Sequence, residues 1–276
     1  MVQRFILLII TCIVCIFFSC RKDRRVKPAT TLPKTSTEIY ADSVFYVQNS
    51  NDYFINPVIT GQGTFTSFPD GLNIDNNTGL INVNKSETGL KYKITFTPAG
   101  SGSVLTSYIV ISGINYSDKI YNLSLGDSIA VPVYNADHNL ALPGTNNGNS
   151  FDQSGGCKNA GIVVGSTNGT INLAQTIKNQ VIDTGSTAQV KLVYSIADNS
   201  NKAPNGLEVK IYFYRTVSQI PQYLTDLINQ RKTTILTSGM PPLVNAPATR
   251  LTLNSLAVHS STIVRSRPPC IVVVSR

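Results

Sequence analysis

The sequence predicts a mainly β protein. Charged residues make up 14% of the 276, against about 25% in an average soluble protein. Asn, Ser, Thr and Gly fill that space, as they do where many tight turns join short strands. Runs of β-branched and aromatic residues, four to eight long, recur between those turns. Only two stretches carry a helical period.

Near its start the chain carries Arg4 and an uncharged apolar run from Phe5 to Phe18, then Ser19-Cys20. A charged start and a short apolar core form a secretory leader, and the run is shorter than the roughly 20 apolar residues of a spanning helix. A small residue immediately before a cysteine resembles the lipobox of bacterial lipoproteins. That resemblance implies cleavage after residue 19, acylation of Cys20, and a membrane partner reached through its lipid. The basic residues Arg21, Lys22, Arg24 and Arg25 speak against an uncleaved anchor whose downstream side is exported. Cys12 and Cys15 leave with the leader. Residues 20–40 hold two prolines and few large apolar groups, a flexible tether by composition.

From 41 to 113 the pattern is strand and turn. Ser43–Val47, Tyr53–Ile55, Tyr92–Phe96 and Tyr108–Ile111 are β-prone. Pro69-Asp-Gly71 and Asp75-Asn-Asn-Thr-Gly79 are turns: Pro presets φ, Asx side chains bond the backbone, and Gly reaches positive φ. The stretch Phe68-Pro-Asp-Gly-Leu-Asn-Ile-Asp-Asn-Asn-Thr-Gly-Leu-Ile81, followed by Gly89-Leu-Lys-Tyr-Lys-Ile-Thr-Phe96, resembles the immunoglobulin-like domains of bacterial surface proteins, relatives of cadherin-like sandwiches. The resemblance implies a β-sandwich over this segment and names no chemistry.

Residues 114–276 are expected to form a mixed α+β domain. Strands are expected at Tyr121–Leu125, Ser128–Val133 and Ile162–Val164, with a long polar loop over 135–156. Ile171, Ala174, Ile177 and Val181 give one short helix its apolar face, and Ile220, Tyr223, Leu224, Leu227 and Ile228 give another, with Ser218 as N-cap. Between them lies a long hairpin, Gln189–Ile196 and Leu207–Tyr214, joined by a turn-rich link. Cys270–Val274 reads as a buried final strand. No second copy of the Pro-Asp-Gly-Leu pattern occurs, so no internal repeat is expected.

Charge argues against nucleic acid. Residues 1–34 carry seven basic side chains and Asp23, while the other 242 residues hold 16 basic and 14 acidic ones. The excess sits in leader and tether, without a basic folded face. Catalytic, metal and cofactor sites are expected to be absent. His138 and His259 have no zinc spacing, Cys157 lacks the flanks of known cysteine nucleophiles, and only Glu38, Glu87 and Glu208 are glutamates. Asp75–Gly79 and Asp137-His-Asn139 offer oxygens to calcium but read as ordinary turns. Cys157 and Cys270 remain as either one disulfide or two packed thiols. Tyr194, Tyr212 and Tyr214 on the hairpin are the candidate ligand contacts, in the absence of any Trp; the alternative for them is cross-strand packing. The expectation is a non-enzymatic lipoprotein of the cell envelope, anchored at the outer membrane, that binds or scaffolds an envelope protein or glycan. A glycan-capture subunit of an uptake system and an envelope hydrolase are the alternatives.

Overall fold

The structure, a computed structural model, describes residues 38–50, 52–100, 102–144, 148–179, 184–232 and 267–276. The leader, Cys20, most of the tether, Val181 and His259 lie outside the described residues. Thr37–Arg276 form one compact unit. The chain is mainly β, as its composition implied.

The first half is a small β-sandwich. Its strands are β1 (Val44–Phe45), β2 (Phe54–Ile55), β3 (Gly63–Phe68), β4 (Ile81–Asn82), β5 (Leu90–Pro98) and β6 (Leu105–Ile111). One sheet runs β1-β6-β5-β3, and a two-stranded sheet pairs β2 with β4. Strand β5 shows why the alternation was readable: Leu90, Tyr92, Ile94 and Phe96 are buried, and the residues between them are not. Those side chains pack with Phe65, Ile81, Val83, Ile109 and Ile111 in one core. Ile39 and Tyr40, at the end of the expected tether, belong to that core, 0% and 1% exposed.

The second half contains β7 (Ile114–Tyr116), β8 (Lys119–Asn122), β9 (Ile129–Ala130), β10 (Pro132–Tyr134), β11 (Ser150–Phe151), α1 (Gly156–Asn159), β12 (Ile171–Asn172), α2 (Leu173–Asn179), β13 (Thr187–Ser195), β14 (Asn205–Tyr214), α3 (Gln222–Lys232) and β15 (Cys270–Val274). The expected hairpin is β13–β14, in register from Thr187 opposite Tyr212 to Tyr194 opposite Asn205. The two expected helices are α2 and α3, with different edges. Ile171 and Asn172 are taken into a strand with β9, and Ser218 sits in a 3₁₀ turn, Val217–Gln219. There Gln219 Oε1 accepts the amides of Arg215 and Thr216 at 3.0 and 3.2 Å, closing a turn ahead of α3, the helix that Ser218 was expected to cap. The expected loop over 135–156 holds strand β11 and ends on the first residue of the one-turn helix α1.

The second half also repeats the first, against the expectation from sequence. In the first copy, the Gly79 amide bonds Asp75 O, the Asp75 amide bonds Leu80 O, the Asn82 amide bonds Asn73 O, and the Phe65 amide bonds Asn76 O. In the second, Gly169 bonds Gly165 O, Gly165 bonds Thr170 O, Asn172 bonds Val163 O, and Phe151 bonds Ser166 O. The side chains match too. Ser86 Oγ donates to Asn82 O at 2.7 Å and accepts from the Asn73 amide at 3.0 Å. Thr176 Oγ1 does the same between Asn172 O, 2.7 Å, and the Val163 amide, 3.0 Å. Tyr40 OH reaches Gly79 O, and Tyr116 OH reaches Gly169 O. Strand pairs correspond as well: Phe54 with Asn82 and Ile55 with Ile81, then Ile129 with Asn172 and Ala130 with Ile171. Both copies lay a phenylalanine ring over the turn glycine. A Cβ on Gly79 would stand 2.6 Å from Phe65, and one on Gly169 would stand 2.7 Å from Phe151, with φ near +70° in each.

Strand β15 has no counterpart among the described residues of the first copy. There, β1 pairs directly and in parallel with β6. In the second copy β15 lies between their equivalents, parallel to both β14 and β8, so that the sheet runs β11-β13-β14-β15-β8. All five of its residues are buried, which is why its sequence is continuously apolar instead of alternating. Ile271 and Val273 face the second core, whereas Cys270, Val272 and Val274 face a third cluster with Leu224 and Ile228 of α3.

Candidate functional site: a polar junction and cleft between the copies

The two copies meet through side chains that the sequence placed in turns and on the hairpin. Tyr194, on β13, is 0% exposed. Its hydroxyl lies 2.9 Å from Thr88 Oγ1 of the first copy and accepts the Ile114 amide at 3.1 Å, where the copies join. Its ring stacks on Phe151 at 5.8 Å. In the first copy the equivalent pair is Phe65 and Phe96, 4.7 Å apart, so the second copy keeps the aromatic packing and adds a hydroxyl for the joint. A second tie uses Asp198, in the link between β13 and β14. Its Oδ2 accepts Ser112 Oγ at 2.9 Å and Tyr134 OH at 3.0 Å. Burial of polar groups in such ties is tolerated because each finds a partner.

A buried ionic cluster holds the C-terminal strand. Asp118, its side chain 3% exposed, pairs with Arg267 at 2.9 Å and Arg231 of α3 at 3.1 Å. It also accepts the Cys270 amide at 2.7 Å, while Arg231 donates to Pro268 O at 3.0 Å. Glu87 approaches from the first copy, and its Oε2 accepts the Arg267 amide at 2.8 Å. Burial pushes the Glu87 carboxyl up to about 7 against the pull of Arg267 and Arg231. Glu87 Oε1 and Arg267 Nη1 are buried without a hydrogen-bond partner.

Beside this cluster a cleft of about 490 Å³ opens between the copies. Asn84, Lys85 and Glu87 border it from the first copy, and Lys191, Asn205 and Glu208 from the hairpin. Asn84 and Lys85 are engaged within the first copy, by the Gln48 amide at 3.0 Å and by Asp52 at 2.8 Å. Lys191 and Glu208 stand opposite each other across the β13–β14 ladder. A smaller pocket of about 180 Å³ lies along β8, with His138, Asp137 and Tyr121 among its lining. The larger cleft is the better candidate because both copies build it.

The structure places the residues singled out from the sequence as follows. The three candidate tyrosines do not share one face. Tyr194 faces the second core, while Tyr212 and Tyr214 lie on the opposite sheet face with the third cluster. Tyr214 is 6% exposed, and Tyr212 is half-buried beneath the Lys210 ammonium at 5.0 Å. Strand parity enforces this separation, since alternate residues point to opposite faces. Cys157 and Cys270 are free thiols, held in different clusters on the two faces of the β15 sheet. Burial pushes them up to about 12 and about 11, far from the thiolate a nucleophile needs. His138 is exposed, in a pocket that excludes Cys157. The two Asx turns use their carboxylates internally. Asp75 Oδ1 accepts the Thr78 and Asn77 amides at 2.8 and 2.9 Å, which lowers its pKa, and Asp137 Oδ1 accepts the Asn139 amide at 2.8 Å. Glu87 was missed as a site residue, because Arg267, which gives it its setting, lies 180 positions away.

No family model matches the chain, and no curated protein matches it. Among solved structures it is similar in part to Drosophila N-cadherin EC1-4, at 10% identity and a TM-score of 0.21. That match takes in 62% of this chain and 47% of the cadherin fragment, so the chain spans about half the length of that neighbour.

Proposed function

We propose that this chain is a non-enzymatic lipoprotein of the cell envelope, anchored through lipid on Cys20, whose two sandwich copies together hold an envelope protein partner. The supporting observation is the inter-copy cleft. It is framed by two tied copies and presents Lys191, Glu208 and Asn205 on a stiff hairpin. A rigid frame spares a binding site the ordering cost of flexible parts. Among the described residues the cleft is lined by charges of both signs and by no aromatic side chain. Such a lining suits a polypeptide better than a sugar face, which favours aromatic contacts. The hydrolase alternative has less support: one oxygen of Glu87 is buried and the other carries the Arg267 amide, and Glu208, the other carboxylate of the cleft, stands opposite Lys191.

The test is a photo-activated cross-linking residue placed at Lys191 or Glu208 in intact cells, with Leu125, 81% exposed, as the control position. The reading expects a discrete protein adduct from the cleft positions and none from the control. It also expects both adducts to vanish with Cys20→Ala, which removes the anchor. Equal adducts at all three positions, or none at the cleft, would overturn it.

A further inference from the structure

The lead-in to β15 is Arg267-Pro268-Pro269-Cys270. Proline has no amide hydrogen, so Arg267 and Cys270 supply the only backbone donors of this segment. Each is taken by a carboxylate: Arg267 by Glu87 of the first copy at 2.8 Å, and Cys270 by Asp118 of the second at 2.7 Å. The strand that the second copy has and the first lacks is therefore fastened at its entry by one acid from each copy. The two acids differ in setting. Asp118 is neutralised by Arg231 and Arg267, whereas Glu87 Oε1 is buried with no hydrogen bond.

We infer that Glu87 is a proton-operated latch on the C-terminal strand, closed when its carboxyl is protonated and loosened when it ionises. The proton sits on Oε1, the oxygen without a partner, while Oε2 keeps the Arg267 amide. Loss of that proton leaves a buried anion with one hydrogen bond, and moving the lead-in away lets water reach it. The charged and titratable groups around Glu87 are Arg267 on the lead-in, Arg231 on α3, Asp118 after β7, Tyr92 on β5 and Tyr194 on β13. Lys85, Lys191 and Glu208 border the cleft beside it. The two arginines favour the anion, Asp118 opposes it, and desolvation outweighs the arginines. Sandwich and β15 are thereby coupled to a proton near neutral pH.

Hydrogen exchange of the full-length protein in detergent tests the latch. With a closed-state value about 7 and an open-state value near 4.5, the opening constant read at Ile271–Val274 rises roughly tenfold from pH 6 to pH 8, after correction for intrinsic exchange. Glu87→Gln should abolish that rise. Should Glu87→Gln not fold, the wild-type protein still decides. Labelling of Cys270, corrected for thiolate content, must rise over the same interval and must stay faster than that of Cys157 on the other sheet face. An opening constant at Ile271–Val274 no larger than that at Ile94 and Ile109 in the first core would mean that β15 opens only in global unfolding, and the latch would be overturned. So would a pH dependence unchanged by Glu87→Gln.

Discussion

Tyr194→Phe isolates the tie between the copies, because it changes one buried oxygen and keeps the ring. Two bonds end with that oxygen, one to Thr88 Oγ1 at 2.9 Å and one from the Ile114 amide at 3.1 Å. Thr88 retains Asn205 Oδ1 at 3.3 Å, so its loss is about 1 kcal/mol, a typical net hydrogen bond. Ile114 is 0% exposed, and its stranded amide adds about 1–3 kcal/mol of unrelieved desolvation. The sum is roughly 2–4 kcal/mol, or a fall in Tm of roughly 4–16 °C for a domain of this size. Urea unfolding read by tyrosine fluorescence gives the free energy, and combining Tyr194→Phe with Thr88→Val gives the pairwise share, expected near 1 kcal/mol. Phenylalanine is what the first copy carries at the matching position, Phe96, so the ring itself will fit. A loss below about 0.5 kcal/mol would refute the reasoning, since a hydroxyl bonding two buried groups cannot be that cheap to delete.

Other consequences are equally direct. Gly169→Ala should cost about 2–4 kcal/mol, from the left-handed backbone and the Phe151 ring 2.7 Å from the new Cβ. Gly79→Ala should match it in the first copy, and denaturant midpoints will show whether the two turns are equivalent. Asp118→Asn should cost about 3–5 kcal/mol, because it leaves Arg267 charged, buried and short of a counterion; calorimetry would show a smaller change if the cluster were solvated. The Glu87 carboxyl has a folded value of about 7 against 4.5 in the unfolded chain, so the folded state binds the proton more tightly between them. Its stabilising share is present below about pH 4.5 and is lost as pH rises through 7, about 3 kcal/mol in all. Glu87→Gln should remove that slope from a plot of stability against pH. Mass spectrometry after unfolding in iodoacetamide should find both Cys157 and Cys270 alkylated without prior reduction, as free thiols require.

Much of the fold was legible because it is written locally. Strand β5 alternates, β15 is continuously apolar, and the Asp75–Gly79 turn carries its own Asx bond and glycine. The repeat was not, because it is carried mainly by backbone bonds. Tyr40 with Tyr116, Phe65 with Phe151, Gly79 with Gly169 and Ile81-Asn82 with Ile171-Asn172 recur at separations of 76, 86 and 90 positions. Insertions between them break any fixed period, and Pro69-Asp-Gly71 has no copy where the chain forms α1 instead. The separation of the three candidate tyrosines was readable from strand parity. Once Tyr194 stands opposite Asn205, Tyr194 shares a face with Leu207 and Val209, and Tyr212 and Tyr214 must point away. Glu87 was weighed and set aside, and Asp118 passed over, because their partners are distant in sequence. The burial that changes their chemistry exists only once β15 has entered its sheet.

The account rests on the two copies acting as one frame around the cleft. Spin labels at Thr106 in the first copy and Asn229 on α3, both exposed, allow a pulsed electron spin resonance distance measurement across it. A single narrow distance distribution is predicted for the wild-type background, broadened by Tyr194→Phe combined with Asp198→Ala, which cuts two of the ties. A broad or two-peaked distribution before any tie is cut would contradict the account, because copies that move independently cannot hold one site between them.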